Sequence, residues 1–184
     1  MKLIFFLERM ETPIGRMLLF TDEQARLRVI DWQDREHNMH RLMRRQYPGT
    51  TIELHEASQG SDAARAIRAY FEGDLTAIDQ LEVATGGTAF QREVWAALRS
   101  ISPGVTISYL ELATRIGRPA AVRAVGLANG ANPISLVVPC HRVIGSNAQL
   151  TGYGGGLHRK RWLLEHEKAI PTAAEAPQAR LPGL

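Results

Sequence analysis

Cysteine is almost absent from this chain: 184 residues carry one, Cys140. A single cysteine excludes an internal disulfide framework and any cysteine-cluster zinc site. The six histidines show no H-E-x-x-H or similar spacing, so neither a metal nor a cofactor is expected. Long hydrophobic runs are lacking too. The apolar start, Leu3 to Leu7, is broken by Glu8; it is too short for a signal-peptide core. No segment has the length needed to cross a bilayer. These absences lead to the expectation of a cytoplasmic protein with no membrane partner. What remains, 45% hydrophobic and 22% charged residues, fits a soluble globular protein with one good core or two small ones.

The net charge of +3 hides an asymmetry. Residues 1–85 carry 11 Lys and Arg against 14 Asp and Glu, whereas residues 86–184 carry 11 against 5. A basic second half suggests a polyanionic partner, of which nucleic acid is the commonest. A solvated surface explains the charge equally well until other features are added.

The cysteine follows an apolar, β-branched run, Ile134 to Val138, which reads as a buried strand ended by Pro139. Cys140 then begins a turn, with His141 and Arg142 beside it, surroundings that lower a thiol pKa. Adjacent residues on an extended backbone point to opposite sides, so His141 reaches the sulfur only through a water or a turn. The plain alternative is a small buried hydrophobe.

The chain divides into two parts and a tail. In residues 1–84, short β-rich runs at Leu3–Glu8, Arg16–Thr21 and Leu27–Trp32 predict an antiparallel meander. Helices are expected from Arg35 to Tyr47 and from Ser61 to Phe71; this half reads as a scaffold. Ala84 to Thr88 is the expected linker. In residues 85–168, Thr88 and Gln91 have capping-box spacing, as do Ser108 and Glu111. A third helix starts at Pro119 and runs to about Asn129. Helix, short Gly-containing turn, helix in a basic region is a helix-turn-helix reading. Residues 169–184 read as a dispensable disordered tail.

The second helix of that pair is nearly bald. Ala120, Ala121, Ala124, Gly126, Ala128 and Gly130 leave Arg123 as its only long polar side chain. A major-groove reader needs several hydrogen-bonding side chains. Small residues instead allow close approach to a minor groove, with one Arg as a wedge; tight helix packing is the alternative use of the same residues.

Together, Pro139 to Arg142, Asn132-Pro133, the bald helix with Arg123, Gly152 to Gly155 and Trp162 to Glu167 resemble the O6-alkylguanine-DNA alkyltransferases. The similarity runs from about Thr85 to Lys168 and is greatest to the bacterial stand-alone Ogt type. It implies an α/β protein: an RNase H-like α/β N-terminal domain plus a mainly helical C-terminal domain with a winged helix-turn-helix-like DNA-binding element. It also implies irreversible, single-turnover transfer of the alkyl group of O6-alkylguanine, with O4-alkylthymine as a second substrate, from flipped-out nucleotides of double-stranded DNA to Cys140. The partner is duplex DNA approached from the minor groove, with no obligate protein partner.

By the same resemblance, His141 acts on Cys140 through a water, Glu167 orients His141, Asn132 braces the turn, and Tyr109 donates to the leaving guanine and presses on a phosphate. Arg123 fills the gap in the stack, with Ala124 and Gly126 at the DNA surface. Main-chain groups near Cys140 and Val143 read the base, Tyr153 is a pocket wall, and Gly154 and Gly155 line it with N–H groups. A non-enzymatic binder of alkylated DNA, a helix-turn-helix regulator and a cysteine hydrolase are the rival classes; Cys140 argues against the first, the bald helix against the second, and the lack of an oxyanion loop against the third.

Two positions depart from some relatives: Gly154 replaces a serine and Ser135 a proline, which opens the wall. Alkyl groups larger than methyl are therefore expected to be accepted. Single-turnover rates on butyl- or benzylguanine DNA check this, and rates far below the methyl rate would refute it.

Overall fold

Strand β1 (Lys2–Met10) pairs antiparallel with β2 (Met17–Asp22), and β2 with β3 (Leu27–Trp32), the meander that the apolar runs predict. The computed structural model describes residues 2–58, 60–147 and 149–172. A fourth strand, β4 (Thr51–Glu56), extends the sheet beside β1 in parallel, giving the order β3-β2-β1-β4. A parallel neighbour requires a crossover, and helix α1 (Glu36–Gln46) supplies it.

Alternation along the strands sends side chains to two cores. Phe5, Leu7, Leu18, Phe20 and Val29 meet Met39, Met43 and Tyr47 of the α1 layer. Met17, Leu19, Ile30 and Trp32 face the other way. A bulge at the Phe20/Thr21 pairing puts Leu27 on that second face as well. Helix α2 (Asp62–Phe71), capped by Ser61 Oγ accepting from Ala64 N–H, contributes Ile67 and Tyr70 to it.

The second core does not stop at the linker. Val94, Trp95 and Leu98 of α3 (Ala89–Arg99), Leu112 and Ala113 of α4 (Tyr109–Arg115), Val125 and Ala128 of α5 (Val122–Gly130) and Leu163 of α6 (Leu157–His166) all join it. The edge of β3 is covered rather than exposed: Leu27 bridges to Val83, and Ile30 to Ile134, which closes off a template for aggregation. In the linker, a Cβ on Gly86 would collide with the Gln46 carbonyl; only glycine lets the chain pass so close to the end of α1.

Thr88 caps α3 with both bonds of a capping box: its Oγ accepts from Gln91 N–H at 3.2 Å, and Gln91 Oε1 accepts from Thr88 N–H at 2.9 Å. At the second candidate box only half forms. Ser108 Oγ accepts from Glu111 N–H at 3.0 Å, but the Glu111 carboxylate pairs with Arg115 one turn on. Helices α4 and α5 are joined by Gly117 (φ +69°) and a 3₁₀ turn over Pro119–Ala121. Residues β5 (Ile107–Ser108) and β6 (Val143–Ile144) form a two-residue parallel pair beside them. The expected tail falls largely on residues 173–184, outside the described residues. Thr88→Ala is expected to cost about 1 kcal/mol, read as a lower urea midpoint with an unchanged slope.

Candidate active site

The run from Ile134 to Val138 is not the strand that its composition predicts. Ile134 makes one parallel bridge to Ile30, and the chain then turns on itself. Val138 N–H donates to Ile134 O at 2.9 Å, Val137 N–H to Ser135 O at 3.0 Å, and Leu136 adopts φ +76°. Asn132 makes this possible: its Oδ1 accepts from Ile134 N–H at 3.0 Å and its Nδ2 donates to Val138 O at 2.8 Å. A side-chain amide thus satisfies buried backbone groups that a ladder would otherwise pair, and the apolar side chains point into the core in several directions. The knot ends in a 3₁₀ turn, Cys140–Arg142.

Cys140 is 5% exposed. Burial pushes its thiol pKa up, while a hydrogen bond from Asn132, the charge of Lys160 and a backbone N–H act the other way without prevailing. This corrects the expectation of a thiol acidified by its neighbours. Arg142, the fixed cation two residues on, is committed to Glu167 and the Ile101 carbonyl. The cation that acts on the thiol is Lys160, whose Nζ donates to Val143 O at 2.6 Å and Thr151 O at 2.7 Å. Burial lowers the Lys160 pKa to about 8, opposed by Cys140.

Arg142 goes to Glu167. Its Nε donates to Glu167 Oε2 at 3.0 Å and its Nη2 to Oε1 at 2.8 Å, while Nη1 donates to the Ile101 carbonyl. Glu167 Oε1 also pairs with His141 Nε2 at 2.9 Å and accepts from Tyr70 Oη at 2.7 Å. All four side chains are buried. Burial alone would raise the Glu167 pKa, but His141 and Arg142 hold it far below the usual carboxylate range. Burial lowers the His141 pKa against the pull of Glu167. Both directions favour a carboxylate beside a neutral imidazole. With Nε2 committed to Glu167, His141 Nδ1 is buried without a hydrogen-bond partner among the described residues.

Tyr109, first residue of α4, stands between α5 and the loop after β6. Its ring would lie 3.8 Å from a Cβ on Gly126, and its hydroxyl 3.9 Å from one on Gly152. Burial raises its pKa; a hydrogen bond with Thr151 lowers it and Cys140 raises it again, so the phenol shares the thiol's field. Arg123 and Ala124 are exposed on α5, whereas Val125 and Ala128 face the core. Trp95 Nε1 donates to Ala128 O at 2.9 Å, so the small residues of α5 also serve helix packing.

A cleft of about 600 Å³ runs between α1 and α5, and Ala124, Gly126, Asn132, Ser135 and Gly154 line it. Asp31 of β3 lies there as well, its pKa raised by burial to about 6. Tyr153 packs edge-on to His141, ring centroids 6.4 Å apart. Val143 is buried, its carbonyl taken by Lys160. Gly155 does not reach the cleft: it is buried beneath Trp32, and its carbonyl accepts from Arg159 at 2.9 Å. No group of three or more His, Cys, Asp or Glu able to hold a metal ion occurs among the described residues. No helix among them is long and apolar enough to cross a membrane.

Comparison with known proteins gives this arrangement a relationship. Residues 6–85 match the 6-O-methylguanine DNA methyltransferase ribonuclease-like domain, and residues 89–169 the DNA binding domain of the same family. A methylated-DNA–protein-cysteine methyltransferase of Salmonella typhimurium is 52% identical over 160 residues, covering 87% of this chain and 94% of that protein. Another, from Methanosarcina acetivorans, is 43% identical over 157 residues, covering 85% and 94%. The crystal structure of Mycobacterium tuberculosis OGT in complex with DNA superposes with a TM-score of 0.70 at 40% identity, covering 92% of this chain and 94% of that one. The chain belongs to the methylated-DNA–protein-cysteine methyltransferase family.

This alkyltransferase is of the Ogt type, and its site holds residues that no motif in the sequence marks. Tyr70 lies on the apolar stripe of α2, where nothing marks its hydroxyl as a donor to Glu167. Arg159 and Lys160 sit on the buried face of α6; cations there contradict the hydropathy pattern by which a buried face is recognised. The one available signal is that α6 lacks a continuous apolar stripe, so something polar had to face inward.

Glu167→Gln would leave the Arg142 guanidinium buried without its counter-charge, at a cost of about 3–5 kcal/mol. A depressed folded-state pKa makes this contribution complete above the unfolded carboxylate value of about 4.3 and removes it as pH falls through the folded value. Urea titrations are expected to show the gap between wild type and Glu167→Gln closing from about pH 5 downward.

Proposed function

We propose that Cys140 accepts the alkyl group of O6-alkylguanine, and of O4-alkylthymine, from double-stranded DNA, once per protein molecule. The observation that carries this reading is the buried thiol beside a histidine whose Nε2 is locked to a charge-compensated carboxylate, leaving Nδ1 to serve the sulfur.

His141 Nδ1 takes the thiol proton through a water, and Glu167 stabilises the imidazolium that forms. The thiolate attacks the alkyl carbon in line. The new S–C bond forms as the C–O bond breaks, and that electron pair passes to the guanine oxygen. Tyr109 donates a proton to the leaving base and is reprotonated in turn, so the thiol proton ends on guanine. The products are unmodified guanine and an S-alkyl cysteine. Water does not cleave a thioether under mild conditions, so the protein is consumed.

The reacting carbon lies inside the duplex, and the thiol is buried; the nucleotide must be flipped out, at a cost of a few kcal/mol. The small exposed face of α5 permits a close minor-groove approach, and Arg123 fills the vacated stack. Asn132 holds the turn, Tyr153, Ser135 and Gly154 form the wall around the alkyl group, and main-chain groups at Cys140 and Val143 meet the base. The two working parts are residues 1–84 and 85–168. A cytoplasmic location keeps the thiol reduced. A non-enzymatic damaged-DNA binder would have no use for the thiol and its relay.

Intact mass after incubation with O6-methylguanine DNA is expected to rise by one methyl group, located at Cys140. Cys140→Ser is expected to bind the same DNA without gaining mass. An unchanged wild-type mass overturns the reading.

A further inference from the structure

Arg159 is 6% exposed and holds the two halves of the molecule together at the substrate wall. Its Nε donates to Ile14 O at 2.8 Å, in the turn between β1 and β2. Its Nη1 donates to Gly155 O at 2.9 Å, in the loop that carries Tyr153 and Gly154. Both outer nitrogens, Nη1 and Nη2, reach the Asp34 carboxylate at 3.1 Å. The guanidinium plane lies over the Trp32 ring, 4.4 Å from its centroid. All of these partners except Gly155 belong to the N-terminal half.

Gly155 is thus clasped from one side by Arg159 and covered from the other by Trp32. A Cβ there would stand 2.5 Å from Trp32 Nε1 and 2.7 Å from Tyr153 Cε1. One residue earlier the situation reverses: a Cβ on Gly154 would meet nothing within 4 Å, and Gly154 opens onto the cleft beside Ser135. The wall is open in front and fixed behind. What fixes it is the N-terminal half, which reaches this loop through Trp32 and through the partners of Arg159.

We propose that Arg159 is a positioning residue through which the N-terminal half sets the alkyl-group selectivity of the Gly152–Gly156 wall. The proposal rests on the alkyl-transfer reading above. A methyl group is too short to depend on where that wall stands. A benzyl group must pack against it, so its transfer depends on the wall being held in place before the substrate arrives. Lysine cannot replace this clasp: it lacks the planar fork that serves Ile14, Gly155 and Asp34 while stacking on Trp32. The Asp34 carboxylate is 59% exposed, so its loss weakens the clasp without dissolving it.

Single-turnover transfer from methyl- and benzylguanine DNA tests this with wild type, Arg159→Lys and Asp34→Asn. The amplitude, alkyl groups per protein, measures the folded fraction; the rate constant measures positioning within it. Arg159→Lys is expected to lower the benzyl rate constant roughly fivefold or more relative to the methyl one, a factor of about 1 kcal/mol in the barrier. Asp34→Asn is expected to shift the same ratio by about twofold. DNA affinity is expected to stay unchanged in both. Methyl and benzyl rate constants that fall by one common factor, or not at all, overturn the proposal. Should Arg159→Lys not fold, an unchanged ratio in Asp34→Asn overturns it. Wild-type methyl transfer in the same series tests the underlying reading separately.

Discussion

A single buried carboxylate, Glu167, receives hydrogen bonds from three directions, and the site depends on that convergence. Tyr70 reaches it from the N-terminal half, His141 and Arg142 from the turn that holds the thiol, and Glu167 itself closes the last turn of α6. A carboxylate at a helix C-terminus opposes the helix dipole, and one taken out of water carries a desolvation cost of several kcal/mol. Arg142 offsets both with a two-pronged contact, and its remaining nitrogen is anchored on the Ile101 carbonyl. Arg142 therefore supplies a counter-charge to the carboxylate that does not depend on His141. The imidazole Nδ1 is left without a hydrogen bond among the described residues, with the ring orientation fixed by Nε2.

The same burial keeps the thiol quiet. A thiolate is the form that oxidises, and oxidation of an acceptor that works once is loss of the molecule. Under the proposed reaction, holding Cys140 above its ordinary pKa protects it until the alkylated base fills the pocket. The forces that oppose burial, the Asn132 amide and the Lys160 ammonium, are already in place around the sulfur. In the proposed reaction they stabilise the thiolate as it forms, without needing to reorganise. Under the proposed reaction, protection at rest and readiness to react thus come from one arrangement, with His141 taking the proton.

Motifs and periodicity made much of this legible. Three strands, the capped helices and the cysteine turn follow from spacing alone, because each is decided by neighbours in sequence. Strand β4 was also within reach: Thr51 to Glu56 alternates apolar Ile52 and Leu54 with polar residues, yet so short and exposed a run carries little weight beside stronger signals. The apolar run from Ile134 to Val138 misled because composition reports burial and not backbone path. A side chain outside the run, Asn132, decides that path. Tyr70 and Arg159 were illegible for a related reason. Their polar atoms find partners 97 residues away for Tyr70 and 145 for the Arg159–Ile14 bond, and no local pattern encodes such a partner.

The motifs make the N-terminal half a scaffold; its physical role is larger. Domains that move against each other meet through modest, rather polar interfaces. Here Trp32, Ile67 and Tyr70 share one hydrophobic core with Val94, Leu98 and Leu163, and Ile30 N–H donates to Pro133 O at 2.9 Å, at the start of the cysteine knot. Such a core leaves no hinge between the outer face of α5 and the thiol. The protein cannot carry its sulfur to a base that stays stacked. Under the proposed reaction, all of the displacement therefore falls on the DNA: the nucleotide leaves the helix and enters a site whose distances are already set. Rigidity here excludes bases that resist extrusion, and alkylated, poorly paired bases resist least.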